Sequence, residues 1–304
     1  MSIDWTREIV AVTGASGLIG RALVDALQMR GARVLRIGRG AAADVRWDPA
    51  AGRLDAASLR GVTAVVHLAG APIAERWTSA HKAAIRDSRV QGTALVSRTL
   101  LALPEPPRVL ISGSAIGIYG DRGSEVLTES SALGQDFLAE VGRAWEGATA
   151  GIEAAGVRVV HLRTGIVLSP DGGALAKLLP PFRLGLGGPI GEGRQWMSWI
   201  GLHDQIALLL WLLGAAAVRG PVNAVAPNPV TNAEFARVLG AVLGRPALVP
   251  APAFALRLAF GEMAEATILA SQRVSPAVAL AHGFPFADEG LAGALRRALG
   301  LPRP

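Results

Sequence analysis

The stretch GASGLIG at residues 14–20 constrains this chain more than any other feature. It follows EIVAVT (residues 8–13), a short apolar run rich in β-branched residues that predicts a buried strand. It runs into RALVDALQMRGA (residues 21–32), whose apolar spacing predicts a helix ending near Gly31. Strand, glycine turn and helix in direct succession make up the phosphate-binding turn of a dinucleotide fold. Gly14 permits the tight turn, Gly17 lets the backbone approach a pyrophosphate, and Gly20 lets the helix pack closely on the strand. The first helical N–H groups, around Ser16, Leu18 and Ile19, then face the anion.

The rest of the chain repeats the pattern. ARVLRIGRG (32–40) is expected as a second strand, followed by VRWDP (45–49), the helical DAASLRG (55–61) and the apolar TAVVHLAG (63–70), with later strands in PRVLISGS (107–114) and VRVVHLRTGIVL (157–168) and a long helix between them at about 135–155. Alternation at this spacing implies an α/β fold, a Rossmann-type doubly wound parallel sheet covered on both faces. Residues 169–200 are rich in glycine and proline and read as an irregular substrate loop, because so long an unstructured stretch inside a compact chain usually serves binding. Two units are expected. Residues 1–225 form the dinucleotide-binding domain, including that loop, and residues 226–304 form a small, mainly helical C-terminal subdomain on the substrate side, with Thr231 or Asn232 capping its first helix.

The end of the second strand selects the dinucleotide. An NAD-specific fold places an acid there for the ribose hydroxyls, whereas RIGRG (36–40) offers Arg36 and Arg39 beside Gly38 and no acid. NADP (NADPH) is therefore expected in preference to NAD, with Arg39 the leading partner of the 2′-phosphate. The competing reading is a solvated arginine at a strand end.

Composition excludes several classes. The chain has no cysteine, so thiolate catalysis and cysteine-based zinc sites are absent. The net charge of +6 comes from arginines spread singly rather than clustered, which argues against a nucleic-acid footprint. The longest apolar run, IALLLWLLGAAAV at 206–218, is shorter than the ~20 residues that span a bilayer and predicts a buried helix. A cytoplasmic protein with a small-molecule substrate and no membrane partner is expected. His203 and Asp204 are adjacent, so their side chains diverge, and no metal site is expected.

The glycine turn, HLAG at 67–70 and SGSAIGIYG at 112–120 together resemble the extended short-chain dehydrogenase/reductase superfamily. More narrowly, RWTSAHKAAIRDSRVQGT, DFLAEVGRAWE, LRTGIVLSPDGGAL, LPPFRLGLGGPIGEGRQWMSWI and GPVNAVAPNPVTNAEFA resemble its epimerase-like family with a small C-terminal domain of its own. The resemblance runs from about residue 8 to about residue 300. It implies that Leu68, Ala69, Gly70, Ser112 and Val167 line the cofactor cleft. It places Arg89 where the common pattern has asparagine, facing the cofactor's phosphates.

The superfamily's chemistry uses a tyrosine with a lysine four residues later on one helical face. No such pair exists here. Tyr119 is the only tyrosine, and position 123 is glycine. The corresponding helix sets Phe137 and Val141 in those places, and neither transfers protons. Ser114, at a strand end, and Tyr119 are the remaining candidate acids, with packing or substrate contact favoured over acid catalysis for Tyr119. Lys82 is expected at the surface. Trp196 and Trp199, inside the glycine-rich loop, are candidate walls of the substrate pocket. An NADP(H)-binding oxidoreductase or epimerase-like protein is the first reading. A non-catalytic dinucleotide sensor is the alternative.

Overall fold

The computed structural model of the chain describes residues 3–302. Its centre is an eight-stranded sheet built from β1 (Ile9–Thr13), β2 (Arg33–Gly38), β3 (Val45–Asp48), β4 (Arg53–Leu54), β5 (Ala64–His67), β6 (Val109–Ala115), β7 (Arg158–Thr164) and β8 (Gly220–Ala224). Across the sheet they run in the order β8-β7-β6-β5-β1-β2-β3-β4. All neighbours are parallel except β3 and β4. The order reverses between β1 and β5, so a crevice opens there at the carboxyl ends of the strands, where open α/β sheets take their ligands.

Alternation along the strands explains why both faces are covered. Val10 and Val12 of β1, with Val66 and Ile111, pack under α1 (Leu18–Gln28). Ala11, Val65 and Leu110 point the other way, under α2 (Ser79–Leu101). The long helix expected at 135–155 is two helices, α3 (Phe137–Gly147) and α4 (Ala150–Ala154). Thr149 makes the break. Its hydroxyl donates to the Glu146 carbonyl at 2.8 Å and also pairs with His161 Nε2 at 2.8 Å, and such side-chain bonds to the backbone compete with helix continuation.

The loop at 169–200 holds a helix that its prolines hide, α5 (Gly173–Arg183), with Pro180 and Pro181 inside it. Leu175, Leu179 and Phe182 lie on one face and are buried, and this burial outweighs the hydrogen bond lost at the prolines. The apolar run beyond residue 200 is the buried helix α6 (Leu202–Gly214). The C-terminal part carries α7 (Asn232–Leu243), capped by the Thr231 hydroxyl, α8 (Ala253–Phe260), α9 (Ala277–Ala281) and α10 (Leu291–Ala298). Loop and C-terminal residues share one core, in which Leu175, Leu179, Phe182 and Trp199 pack with Phe235, Leu239 and Leu295. No helix among the described residues is long and apolar enough to cross a membrane.

Trp199, expected in the substrate pocket, is fully buried in this core, with its indole N–H donated to the Asn228 carbonyl at 3.2 Å. Its neighbours in the short strand Trp199–Gly201 pair with Ile166–Leu168, so the ring faces inward. Trp199→Ala should therefore destabilise the protein by about 3–5 kcal/mol through the cavity it leaves, read as a shift of the urea unfolding midpoint.

Candidate active site

The crevice is held together by one hydroxyl. Thr13, at the end of β1, accepts hydrogen bonds from the backbone N–H groups of Leu68 (3.0 Å) and Ala69 (3.1 Å), just beyond β5. Both lone pairs are thereby used, so the hydroxyl proton goes to His67 Nδ1 at 2.7 Å. That fixes the imidazole as the neutral tautomer with its proton on Nε2. The ring is fully buried and meets Trp47 edge to face at 5.9 Å, and burial pushes its pKa down to about 4.

The glycine turn begins one residue after Thr13. Gly14 has φ +66, and a β-carbon on it would lie 2.9 Å from the Ala69 nitrogen, so only glycine lets the two strand ends approach. A β-carbon at Gly20 would fall 2.1 Å from the Gly14 carbonyl oxygen, which explains the close seating of α1. Gly17 caps α1 and is exposed, as is Ser16, leaving that helix N-terminus open towards the crevice. Leu18 and Ile19 are half-buried, and Gly172 passes over Leu18, where a β-carbon would sit 3.6 Å from Cδ1.

At the end of β2 the two arginines differ. Arg36 is spent on Asp44, which it grips through Nε at 2.8 Å and Nη2 at 3.0 Å, holding that carboxyl well below its usual range. Arg39, after the half-buried Gly38, is exposed and has no hydrogen-bond or ion-pair partner among the described residues. Across the crevice Arg89 of α2 lies beneath Gly70, where a β-carbon would be 3.2 Å from its Cζ. Its Nη1 donates to the carbonyls of Ala71 (3.1 Å) and Ile85 (3.0 Å), and its plane lies over Trp145 at 5.1 Å. No carboxylate pairs with it among the described residues, and burial pushes its pKa down to about 10. Its guanidinium is thus held by carbonyl oxygens and an aromatic face rather than by an acid.

Ser114 and Tyr119 belong to a buried network. The Ser114 hydroxyl donates to Glu146 Oε1 at 2.7 Å, and Glu146 is gripped by Arg163 through Nε and Nη2, both at 2.8 Å. Burial works to raise the Glu146 pKa, but Arg163 and Ser114 hold it below the usual range, so Glu146 is a carboxylate and the Ser114 proton stays with it. Ser114 can only accept, which corrects its expected role as donor to a substrate oxygen. Tyr119 is fully buried. Its phenol accepts from Arg163 Nη1 at 3.0 Å and donates to Asn223 Oδ1 at 2.7 Å, and burial raises its pKa. The structure does not bring its proton to an open surface. Asn223 continues the network to the Ser275 carbonyl and to Glu129.

Ser112 is also fully buried, so its side chain does not line the open crevice. Val167 is half-buried, in register with Ile200. Trp196 is half-buried, with Arg273 4.2 Å over its ring, and it lines an open cavity of about 420 Å³ with Asp121, Arg194, Gln195 and Ser271. Asp204 accepts from the backbone of Ala287 and Asp288 and is thus a structural cap. The sequence reading missed Thr13, His67, Glu146 and Arg163. Only Thr13, directly before the glycine turn, carried a local signal.

A doubly wound sheet with a glycine cradle at its switch point defines an NAD(P)-binding protein of the short-chain dehydrogenase/reductase type. The NAD dependent epimerase/dehydratase family matches residues 10–224, and a domain of unknown function (DUF1731) matches residues 251–298. The chain belongs to the NAD-dependent epimerase/dehydratase family. It is 41% identical over 298 residues to an epimerase family protein of Mycobacterium bovis, covering 97% of this chain and 98% of that one. The crystal structure of human epimerase family protein SDR39U1 (isoform 2) with NADPH superposes with a TM-score of 0.89 at 35% identity, over 96% of this chain and 100% of that chain. A nucleoside-diphosphate sugar epimerase from Corynebacterium glutamicum superposes with a TM-score of 0.81 at 39% identity, over 96% of this chain and 58% of the other.

His67 gives the site a pH signature. Its folded pKa is depressed from 6.5 to about 4, so between those values the unfolded chain binds a proton that the folded chain refuses. The contribution is fully present above pH 6.5 and falls as pH drops towards 4, by up to about 3 kcal/mol. Urea unfolding at several pH values across this window should show a shallower fall for His67→Gln than for the wild type. Parallel curves would contradict the assignment.

Proposed function

We propose that the chain is an NADP(H)-dependent oxidoreductase or epimerase-like enzyme acting on a small molecule. The observation that carries this is the pair of arginines without acid partners on the two sides of the crevice, Arg39 beyond β2 and Arg89 beneath Gly70. The residues fit the dinucleotide in kind. The turn at 14–20 is open at Gly17 for the pyrophosphate, Arg39 suits a 2′-phosphate, and Leu68, Ala69, Gly70 and Arg89 lie along the other half of the crevice. The presence of NADPH in the similar human protein supports the same choice.

When bound, the nicotinamide ring supplies or accepts a hydride. The chain's own residues do the rest. Thr13 keeps the Leu68 and Ala69 backbone in place, Arg89 balances phosphate or developing negative charge in a dry setting, and Ser114 accepts a hydrogen bond from a substrate hydroxyl. Trp196 offers an apolar wall on the C-terminal side. Oxidised NADP is the second cofactor state on this reading, and NAD is held less tightly because residues 36–40 carry no acid for the ribose hydroxyls and Asp44 is taken up by Arg36.

Fluorescence titration of the full chain with NADPH and NADH tests the choice. NADPH should bind more tightly. Arg39→Ala should weaken NADPH by about 10- to 100-fold, the value of one or two charge-assisted hydrogen bonds, and leave NADH unchanged. Equal affinities in the wild type would contradict the proposal.

A further inference from the structure

Lys82 is half-buried rather than at the surface, with its side chain 31% exposed. It lies in the first turns of α2, the helix that starts from the carboxyl end of β5, and its ammonium sits 4.3 Å over the ring of Phe137 at the start of α3. The Phe137 ring is held from another side by Trp77, edge to face at 5.1 Å, and the Trp77 N–H is donated to the Ile73 carbonyl at 2.9 Å. The ammonium is not left to wander. Both oxygens of Glu262, which follows α8, accept from it at 2.8 and 3.0 Å. Arg76 adds a second tie from the same segment, to the Leu258 carbonyl at 2.7 Å.

Two turns further along α2, Arg89 lies over Trp145, two turns beyond Phe137 on α3. The two helices therefore face each other as a ladder, with cations on α2 and aromatic rings on α3. Both helices begin at the carboxyl edge of the sheet, so the Lys82 rung stands at the rim of the crevice. Around that rim the other candidate acids are committed. The Ser114 hydroxyl has one proton and gives it to Glu146, the Tyr119 phenol has one and gives it to Asn223, and His67 is fully buried, whereas the Lys82 ammonium has three and gives two of them to Glu262. Lysine is the residue type that can both hold a negative oxygen and give up a proton, which arginine does not do.

Resting on the NADP(H) reading above, we propose that Lys82 is the catalytic proton donor, held in place by Glu262 as a positioning residue, and that the substrate carries a carbonyl group. In the reductive direction the carbonyl carbon accepts the hydride of the reduced nicotinamide, and the carbonyl oxygen takes a proton from Lys82 Nζ. The products are an alcohol, oxidised nicotinamide and a neutral amine, which regains its proton from water. The oxidative direction is the reverse.

With only two lysines in the chain, Lys82 and Lys177, amine labelling read by peptide mass spectrometry gives a clean signal with an internal control. Labelling of the full chain with acetic anhydride is compared alone, with NADPH, and with 2′-phospho-ADP-ribose, which lacks the nicotinamide ring. NADPH should slow labelling of Lys82 and not of Lys177, and the ring-less nucleotide should protect it much less. Glu262→Gln should speed labelling of Lys82 without ligand. In parallel, NADPH oxidation is followed with a panel of aldehydes and α-dicarbonyls. Lys82→Met should lose ~10²-fold or more in turnover, the usual cost of a missing general acid, with NADPH affinity intact. Lys82→Arg should keep the fold and the ion pair but not the turnover, whereas a purely structural lysine would be rescued by arginine. Failure of the wild type to bind NADPH would overturn the function proposed above. Binding with unprotected Lys82, or full turnover in Lys82→Arg, would overturn the role of Lys82 alone.

Discussion

Everything at the crevice depends on the hydroxyl of Thr13. It joins the ends of β1 and β5, which are separated by more than fifty residues in the chain, by taking two backbone N–H groups and giving its proton to a buried imidazole. The approach it enforces is what makes glycine necessary at position 14, because any side chain there would strike the Leu68 and Ala69 backbone. Gly14 in turn sets the seat of α1, whose open N-terminus faces the crevice. A neutral His67 suits this position. Its one accepting nitrogen receives the Thr13 proton, and a charged ring would have to donate into a group that has nothing left to accept with.

Charge is distributed around this hinge with an economy that follows from burial. Where an acid and a base lie deep together they are paired, as Arg163 is with Glu146, because an isolated buried charge is costly. Arg89 has no acid partner among the described residues and rests on carbonyl oxygens and an indole face, as Arg158 rests on the carbonyls of Leu212, Leu213 and Val218. What distinguishes Arg89 is its place beneath Gly70, beside the crevice. The network from Ser114 through Tyr119 to Asn223 has the opposite character. Its side chains come from separate strands and are tied by hydrogen bonds, so it stiffens the junction of β6, β7, β8 and the C-terminal segment.

Much of this was legible in the sequence because it is local. The glycine spacing, the alternation of strands and helices and the pair Arg36 and Arg39 all lie within short windows. What was hidden depends on distance along the chain. Nothing near Lys82 announces Glu262, and nothing near Thr13 announces His67. The single tyrosine was left between packing and acid chemistry for the same reason, since its partners, Arg163 and Asn223, arrive from β7 and β8. Trp199 misled because glycine-rich surroundings suggested an open loop, although the loop folds back on the C-terminal core. The helix in that loop was concealed by Pro180 and Pro181, which weaken a pattern that burial of three apolar side chains restores.

A crystal structure of the full chain grown with NADPH tests the central claim most directly. The pyrophosphate is expected at the N–H groups around Gly17, the 2′-phosphate within hydrogen-bond reach of Arg39, and the nicotinamide half of the molecule on the side of Gly70, Arg89 and Lys82. Density for the dinucleotide lying away from the glycine turn, or running with its adenosine end towards Arg89 instead, would contradict it.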